Sequence, residues 1–157
     1  IRMLRERFQD RILPGAGTVM TMEQLKLAAD AGAQYIISPN VDVGIIRETR
    51  KLGLVSLPGA LTPTEIAQAY QAGANAVKVF PAGNLGAGYI KAIRAPLSQI
   101  PLLAVGGVNE KNAAEFMAAG CSGIGVGGNL VNKQWIAAGE FDKITALAKE
   151  YVQALAH

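Results

Sequence analysis

The sequence has very few of the side chains that most metal sites and nucleophilic enzymes use. Its 157 residues include one cysteine, Cys121, and one histidine, His157, which is the last residue. A single cysteine cannot form an internal disulfide, which favours a reducing compartment and predicts a small buried packing residue at Cys121. With no histidine within the fold, a Ser-His-Asp or Cys-His arrangement is excluded, and a zinc or iron site would have to form without imidazole. We therefore expect no metal site.

Long apolar runs and clusters of like charge are also missing. No apolar segment approaches the roughly 18–20 residues needed to cross a bilayer, so we expect a soluble protein with no membrane partner. The net charge is only +3, and no basic cluster is interleaved with aromatic residues, which argues against nucleic acid as a partner. Hydrophobic residues make up 50% of the chain, enough for one compact domain with a large core.

Short apolar runs alternate with amphipathic stretches along the chain, the pattern of a parallel sheet with crossover helices. Each run is apolar or small throughout, as expected where both faces of a sheet are covered. The predicted strands are Arg11–Val19, Tyr35–Pro39, Leu54–Pro58, Ala76–Phe80, Leu102–Gly106 and Gly123–Gly127.

Helix start and stop signals separate these strands. Thr62 has Glu65 three residues later, and Thr21 has Gln24, so each pair forms a capping box. The predicted N-caps are Thr21, Asn40, Thr62 and Asn109. The glycines at predicted helix C-termini, where a left-handed residue is favoured, are Gly32, Gly53, Gly73 and Gly120.

Those glycines recur at intervals of roughly 20 residues or about twice that, which indicates an evenly repeated βα unit. Such a repeat favours an α/β fold of the TIM-type (β/α)8 barrel class over a doubly wound sheet. Six βα units are predicted where a barrel has eight, and an open six-stranded sheet would expose two edges. Ile1–Asp10 have the spacing of a helix tail. We therefore expect residues 1–157 to form a single barrel domain that is N-terminally incomplete, with its first two strands before residue 1.

Lys78 is the one charged residue within the predicted strands apart from Arg11 at an edge. Alternation places Val77 and Val79 on one face of the strand, and Lys78 and Phe80 on the other, which would face the barrel interior. Burial without a nearby carboxylate lowers the pKa of a lysine, and a neutral amine is the nucleophile that attacks a carbonyl. The alternative is a lysine whose amine reaches solvent at the strand end.

Paired glycines follow the last two predicted strands. Gly106 and Gly107 end one, and Gly127 and Gly128 end the next, each pair leading toward a helix. Exposed backbone N–H groups there form a common phosphate site in barrels, although small residues also let a strand and a helix pack closely. Residues 123–128 match G-x-G-x-x-G, but the glycines lie largely within a strand and no further strand follows, so a dinucleotide site is not expected.

Six motifs follow one another along essentially the whole chain, and the most specific is the Lys-x-Phe-Pro strand. They are Gly15-Ala16-Gly17-Thr18-Val19, Ile37-Ser38-Pro39, Pro58-Gly59, Lys78-Val79-Phe80-Pro81-Ala82, Gly106-Gly107-Val108 and Gly127-Gly128. Together they resemble the ordered signature of the 2-keto-3-deoxy-6-phosphogluconate and 4-hydroxy-2-oxoglutarate aldolases. The resemblance implies a cytoplasmic homotrimer that acts on a small 2-keto acid, without a metal or an organic cofactor.

The resemblance also implies residue roles. Lys78 would form a Schiff base with the keto carbon of 2-keto-3-deoxy-6-phosphogluconate, which is cleaved to pyruvate and glyceraldehyde 3-phosphate. Thr18 would bind the pyruvyl carboxylate, and Phe80 would line the pocket beside the imine. The further expected substrate contacts are Pro39, Gly106, Gly107, Gly127 and Gly128.

Three departures from the family pattern keep alternatives open. The glutamate base and the carboxylate-binding arginine of the family are expected before Ile1, so a protein beginning there should be nearly inactive. Val105 stands where many members have threonine, which leaves the galactonate-type substrate open. Gly128 stands where a serine is often found in the phosphate loop, so one hydroxyl contact is lost and the choice of phosphorylated substrate stays open. Unphosphorylated 4-hydroxy-2-oxoglutarate is an alternative substrate for the same mechanism. A phosphate-binding barrel with another reaction, and an inactive fragment, are more remote alternatives.

Overall fold

A computed structural model describes residues 1–156, and His157 lies outside the described residues. The chain divides into two compact units. Unit 1 is Ile1–Phe80 with Gln99–Pro101, and unit 2 is Pro81–Ser98 with the residues from Leu102 onwards. Both units alternate helices with short parallel strands, so the chain has an α/β architecture.

Unit 1 carries two parallel strand pairs. Its elements are α1 Arg2–Phe8, a short 3-10 helix Gln9–Arg11, α2 Met22–Asp30, β1 Tyr35–Ile37, α3 Val43–Lys51, β2 Val55–Leu57, β3 Gly59–Ala60, α4 Pro63–Gln71 and β4 Val77–Val79. Strand β1 pairs with β2, with Tyr35 opposite Val55. Strand β3 pairs with β4, with Gly59 opposite Lys78.

Unit 2 carries one parallel pair and the longer helices. Its elements are α5 Ala82–Arg94, β5 Leu102–Val105, α6 Ala113–Ala118, β6 Gly123–Gly125, α7 Lys133–Ala137 and α8 Phe141–Ala154. Strand β5 pairs with β6, with Val105 opposite Gly125. Helix α5 is broken at Gly86, whose φ of 75° and ψ of 169° are not helical.

The prediction of a continuous strand over Arg11–Val19 is wrong. Gln9–Arg11 form a 3-10 helix, and Ala16 alone makes an isolated parallel bridge to β1. Two residues interrupt the extended backbone. Pro14 has no backbone N–H to donate, and Thr18 has a φ of 58°, in the left-handed region. The segment still runs beside β1, because the Ala16 N–H donates to the Tyr35 carbonyl oxygen at 3.0 Å.

The predicted strand Leu54–Pro58 continues past its proline as β3. The Lys78 N–H donates to the Pro58 carbonyl oxygen at 2.8 Å, and the Phe80 N–H donates to that of Ala60 at 3.0 Å. Before Pro58 the segment pairs with β1, and after it the segment pairs with β4. Pro58 has no N–H to donate, but its carbonyl oxygen still accepts a hydrogen bond from β4. Each of the other four predicted strands contains one observed strand, and the observed strand is shorter than the predicted one.

Both helices with predicted capping boxes begin at the expected threonines, but only Thr62 and Glu65 form the full capping box. The Thr62 hydroxyl accepts from the Glu65 N–H at 3.3 Å, and the Glu65 carboxylate accepts from the Thr62 N–H at 2.8 Å. At α2 the Thr21 hydroxyl accepts from the Gln24 N–H at 3.1 Å, whereas the Gln24 side chain accepts from the N–H of Met20.

The two asparagine N-caps are wrong in position. Helix α3 begins after Asp42, whose carboxylate accepts from the Ile45 N–H at 2.9 Å and leaves no N-cap role for Asn40. Helix α6 begins after Asn112. The Asn109 side chain closes the preceding turn, where it accepts from the N–H groups of Lys111 and Asn112.

The glycines predicted at helix C-termini are confirmed, since Gly32, Gly53, Gly73 and Gly120 have φ values of 88°, 73°, 107° and 102°. Three of them share an arrangement that the sequence does not reveal. An arginine stem from the preceding helix lies over the position that a β-carbon would take. The pairs are Arg5 with Gly32, Arg50 with Gly73 and Arg94 with Gly120. Because the arrangement returns with every second helix, it supports the repeated βα unit.

Buried apolar side chains hold each unit together. In unit 1 one cluster contains Leu25, Ile36 and Ile45, and in unit 2 Phe116 and Leu102 are almost fully buried. Cys121 is buried as predicted, and burial raises the pKa of its thiol to about 11, so the thiol stays protonated and packs as an apolar group. Among the described residues no helix is long and apolar enough to cross a membrane.

The Thr62 cap gives a stability prediction. Thr62→Ala should lower the free energy of unfolding by about 1 kcal/mol, because it removes the acceptor for the Glu65 N–H. Urea denaturation followed by circular dichroism measures the change. Thr64→Ala is the matched control, since this exposed threonine lies in the same first turn and its replacement should not lower stability. Equal losses in the two variants would contradict the capping account.

Candidate active site

Lys78 lies in the middle of β4, between two residues that have no exposed surface. Val77 and Val79 are completely buried, whereas Lys78 is half-buried and its side chain leaves the strand on the opposite face. The backbone of Lys78 is fixed by its hydrogen bond to Pro58. The strand therefore holds the base of this side chain rigidly.

The amine of Lys78 lies over the ring of Phe80, with Nζ 4.4 Å from the ring centroid. Burial removes water from the ammonium and lowers the pKa of Lys78 below its ordinary value of 10.5. The ring face attracts the cation and opposes that shift in part. Within residues 1–156 no carboxylate forms an ion pair with Lys78. An amine in this setting loses its proton more readily than a lysine in water.

Thr18 lies in the segment beside β1 and has an unusual backbone. Its φ of 58° is in the left-handed region, which costs a β-branched residue roughly 1–2 kcal/mol. The next residue, Val19, is buried, and its N–H donates to the Ile37 carbonyl oxygen at 3.1 Å, which holds the strained turn against the end of β1. The Thr18 side chain is exposed, so its hydroxyl is available to a ligand.

Pro39 follows β1 and is half-buried against the backbone of β3. A β-carbon on Gly59 would collide with the carbonyl groups of Ser38 and Pro39, so only glycine allows this approach. Gly59 is also the pairing partner of Lys78. The Pro39 turn is thus joined through Gly59 to the strand that carries Lys78.

Unit 1 therefore carries Thr18, Pro39, Lys78 and Phe80 on parallel strands or on the turns that follow them. Thr18, Pro39 and Phe80 lie at or after the carboxyl end of a strand or strand-like segment, whereas Lys78 is the central residue of β4. In a barrel the carboxyl ends of parallel strands carry the active site. Of the expected site residues, Lys78 and Phe80 are in direct contact.

In unit 2 the first glycine pair is required by its backbone and by packing. Gly106 and Gly107 have φ values of 85° and 76°. The Gly83 N–H donates to the Gly106 carbonyl oxygen at 2.7 Å, and a β-carbon on Gly83 would lie 2.7 Å from the Gly107 α-carbon. Close packing thus accounts for this pair without any ligand.

The second glycine pair is different. Gly127 and Gly128 are exposed, neither has a left-handed φ, and a β-carbon on either would meet nothing within 4 Å. Among the described residues their N–H groups have no hydrogen-bond acceptor. The expectation that each glycine pair lies at a helix start is wrong. Helix α7 begins only at Lys133, and α6 begins only at Ala113. What remains is an open loop with exposed N–H donors.

A family model described as KDPG and KHG aldolase matches residues 1–147. The 2-dehydro-3-deoxy-6-phosphogalactonate aldolase of Escherichia coli is 38% identical over 151 residues, which cover 96% of this chain and 74% of that protein. The chain belongs to the KDPG and KHG aldolase family. It is thus a lyase of the aldolase class by family, and it spans about three quarters of that relative's length.

Solved structures agree with this assignment. One described as "Native KDPGal structure" has a TM-score of 0.90 and 37% identity, and covers 100% of this chain and 77% of that chain. A KDPG aldolase from Legionella pneumophila, with pyruvate captured as a covalent carbinolamine, has a TM-score of 0.82 and 30% identity. That match covers 93% of this chain and 71% of the Legionella chain. The α/β fold with parallel strands is therefore that of KDPG aldolase structures.

Two features of this aldolase-family chain were missed at the level of sequence. Gly83 touches Gly107, and its signal was a glycine in the first turn of a helix, where it is unfavourable. The side-chain amide of Asn129 donates to the hydroxyl of Tyr151 at 3.2 Å, and no local sequence pattern predicts this contact. No group of three or more His, Cys, Asp and Glu residues suited to a metal ion occurs in the part of the chain that the structure describes.

The strained backbone of Thr18 gives a second stability prediction. Thr18→Asn should raise the free energy of unfolding by about 1 kcal/mol, because asparagine enters the left-handed region more easily than a β-branched residue. Thermal unfolding and urea titration measure it. Thr21→Asn makes the same exchange at a φ of −135° and should change stability by only a few tenths of a kcal/mol. A loss of stability in the Thr18 variant would mean that the hydroxyl, and not strain, dominates there.

Proposed function

We propose that this chain carries the Schiff-base lysine of an aldolase that cleaves a phosphorylated 2-keto-3-deoxy sugar acid to pyruvate and an aldehyde. The observation that carries the proposal is the half-buried Lys78 amine, which has a lowered pKa, no carboxylate partner within residues 1–156 and a place in the Lys-Val-Phe-Pro strand. The pyruvate carbinolamine of the Legionella relative supports it, since that adduct is formed between an amine and a ketone.

The reaction begins with the neutral amine of Lys78. Its lone pair attacks the C2 keto carbon to give a carbinolamine, which loses water to give a protonated imine. The C3–C4 bond then breaks, its electron pair moves into the imine to form an enamine, and the C4 hydroxyl gives its proton to a base as the aldehyde leaves. Protonation of the enamine at C3 and addition of water release pyruvate and the free amine.

The surroundings of Lys78 fit this sequence of charges. Desolvation favours the neutral amine that attacks, whereas the Phe80 ring at 4.4 Å attracts the cationic imine that follows. We assign the Thr18 hydroxyl to the pyruvyl carboxylate and Pro39 to the wall of the pocket. We assign the substrate phosphate to the backbone N–H groups at Gly106, Gly107, Gly127 and Gly128.

We propose the galactonate epimer as the preferred substrate, in place of the gluconate epimer expected from the resemblance. The two acids differ in configuration at C4, beside the bond that breaks. Val105 presents methyl groups at the end of β5, where its side chain lies over Gly125, and offers no hydroxyl to either epimer. The phosphogalactonate aldolase of E. coli and the structure described as native KDPGal support this preference.

Unphosphorylated 4-hydroxy-2-oxoglutarate is a second candidate substrate. The matching family model includes KHG aldolases, and Gly128 supplies no side-chain hydroxyl to a phosphate. Comparison of kcat/KM for the phosphorylated and unphosphorylated acids separates the two. A preference for the smaller acid would replace the sugar acid as the substrate without changing the role of Lys78.

We also propose a TIM-type (β/α)8 barrel as the finer description of the fold, in a single domain. A cytoplasmic location and a homotrimer belong to the same proposal, because the family resemblance implies them. Sedimentation equilibrium tests the oligomer, since a monomer at micromolar concentration would exclude a stable trimer.

Covalent trapping tests the role of Lys78. Incubation with pyruvate and borohydride should leave a reduced adduct on the peptide that contains Lys78, and Lys78→Met should abolish it while the circular dichroism spectrum is unchanged. Lys91→Met, at an exposed lysine of α5, is the control and should trap as the original chain does. An adduct on another lysine, or none on the folded chain, would rule out the proposed chemistry.

Substitution at Val105 tests the substrate preference. Val105→Thr should shift the ratio of kcat/KM for the two phosphorylated epimers toward gluconate by about ten-fold, because it adds a hydroxyl where the shape of the side chain is unchanged. Steady-state kinetics with both acids measure the ratio. Val131→Thr, at an exposed valine, should leave it as it was. An unaltered ratio in the Val105 variant would remove this residue from substrate selection.

A further inference from the structure

Helix α8 buries one described side chain, that of Tyr151, which is 4% exposed. A tyrosine has an apolar ring and a polar tip, and its hydroxyl needs a partner when the residue is buried. In this chain the partner is the side-chain amide of Asn129, whose Nδ2 donates to the Tyr151 hydroxyl at 3.2 Å. The contact joins residues 22 positions apart in sequence.

Asn129 directly follows Gly127 and Gly128, the pair for which neither backbone conformation nor packing requires glycine. The loop closes on itself through the Gly127 carbonyl oxygen, which accepts from the N–H groups of Leu130 and Val131 at 2.9 Å. Among the described residues, the hydrogen bond from the Asn129 side-chain amide to Tyr151 connects this loop to helix α8.

Two consecutive glycines outside a helix or strand have a large conformational entropy, which a ligand must overcome to bind their N–H groups. A hydrogen bond that fixes the next residue to a long helix reduces the cost of ordering them before the ligand arrives. Tyr151 reaches the loop through the side chain of Asn129.

We propose that Tyr151 is a positioning residue that holds the Gly127–Gly128 loop, through Asn129, in the conformation that binds a phosphate group. This inference rests on the proposed function in one respect, the assignment of the substrate phosphate to this loop. It requires nothing of Lys78. The occupant is a phosphate monoester or inorganic phosphate, since the loop offers backbone N–H donors with open space above them.

The test uses inorganic phosphate as the probe and the amide resonances of Gly127 and Gly128 as the readout. In the original chain these resonances should shift on titration and give a dissociation constant. Tyr151→Phe removes only the hydroxyl and should weaken phosphate binding about five-fold, the effect of one net hydrogen bond. Asn129→Ala should weaken it equally, and the double variant should be no weaker than either single one, because both remove the same contact.

Trapping of pyruvate on Lys78 separates positioning from general destabilisation. Pyruvate has no phosphate, so Tyr151→Phe should leave the rate of borohydride trapping unchanged. Tyr70→Phe, at an exposed tyrosine of α4, is the control and should alter neither phosphate binding nor trapping.

Three results would overturn the inference. The first is a phosphate affinity that is unchanged in Tyr151→Phe. The second is an equal loss of phosphate affinity and of trapping in Tyr151→Phe, together with a lowered melting temperature. The third is a phosphate titration that does not shift the Gly127 and Gly128 resonances of the original chain. If trapping fails in the original chain while phosphate binding depends on Tyr151, the proposed role of Lys78 is wrong and the present inference stands.

Discussion

The proposed chemistry depends on an ammonium group in unit 1 that is partly removed from water, that of Lys78. Lys78 extends from a strand whose neighbouring side chains, Val77 and Val79, are completely buried. Because its pKa is lower in the fold than in the unfolded chain, the folded state binds this proton less tightly. The amine therefore opposes folding at every pH below its folded pKa, and that opposition is relieved as the pH rises toward 10.5. The fold therefore contains an amine that loses its proton more readily than a lysine in water.

The backbone around β3 and β4 keeps that side chain in place. Pro58 accepts the Lys78 N–H, and Gly59 lies opposite Lys78 while its missing β-carbon admits the Pro39 carbonyl. In unit 2, Gly83 and Gly107 achieve a similar approach of two backbones. Glycine thus has two roles here. Gly59, Gly83 and Gly107 allow two backbones to approach closely. At Gly127 and Gly128, by contrast, a β-carbon would meet open space, and their N–H groups have no acceptor among the described residues.

Local signals in the sequence predicted much of this architecture. Alternating burial around Lys78, the Thr62 capping box and the left-handed glycines are all short-range effects, so residue order was sufficient to find them. The strand over Arg11–Val19 was wrong because a 3-10 helix extends to Arg11 and Thr18 has a left-handed backbone, and neither leaves a mark in the apolar pattern. Contacts between residues far apart in sequence, such as Asn129 with Tyr151, produce no periodic pattern, so residue order alone does not predict them.

The most direct measurement is the titration of the Lys78 amine itself. Selectively labelled lysine ε-carbon resonances are followed by NMR against pH, and the Lys78→Met spectrum identifies the signal. The account predicts a midpoint clearly below that of the same side chain in the urea-unfolded protein, since burial disfavours the ammonium. Identical midpoints in the folded and unfolded chains would show that the amine is hydrated as in bulk water, and the proposed nucleophilic role of Lys78 would lose its physical basis.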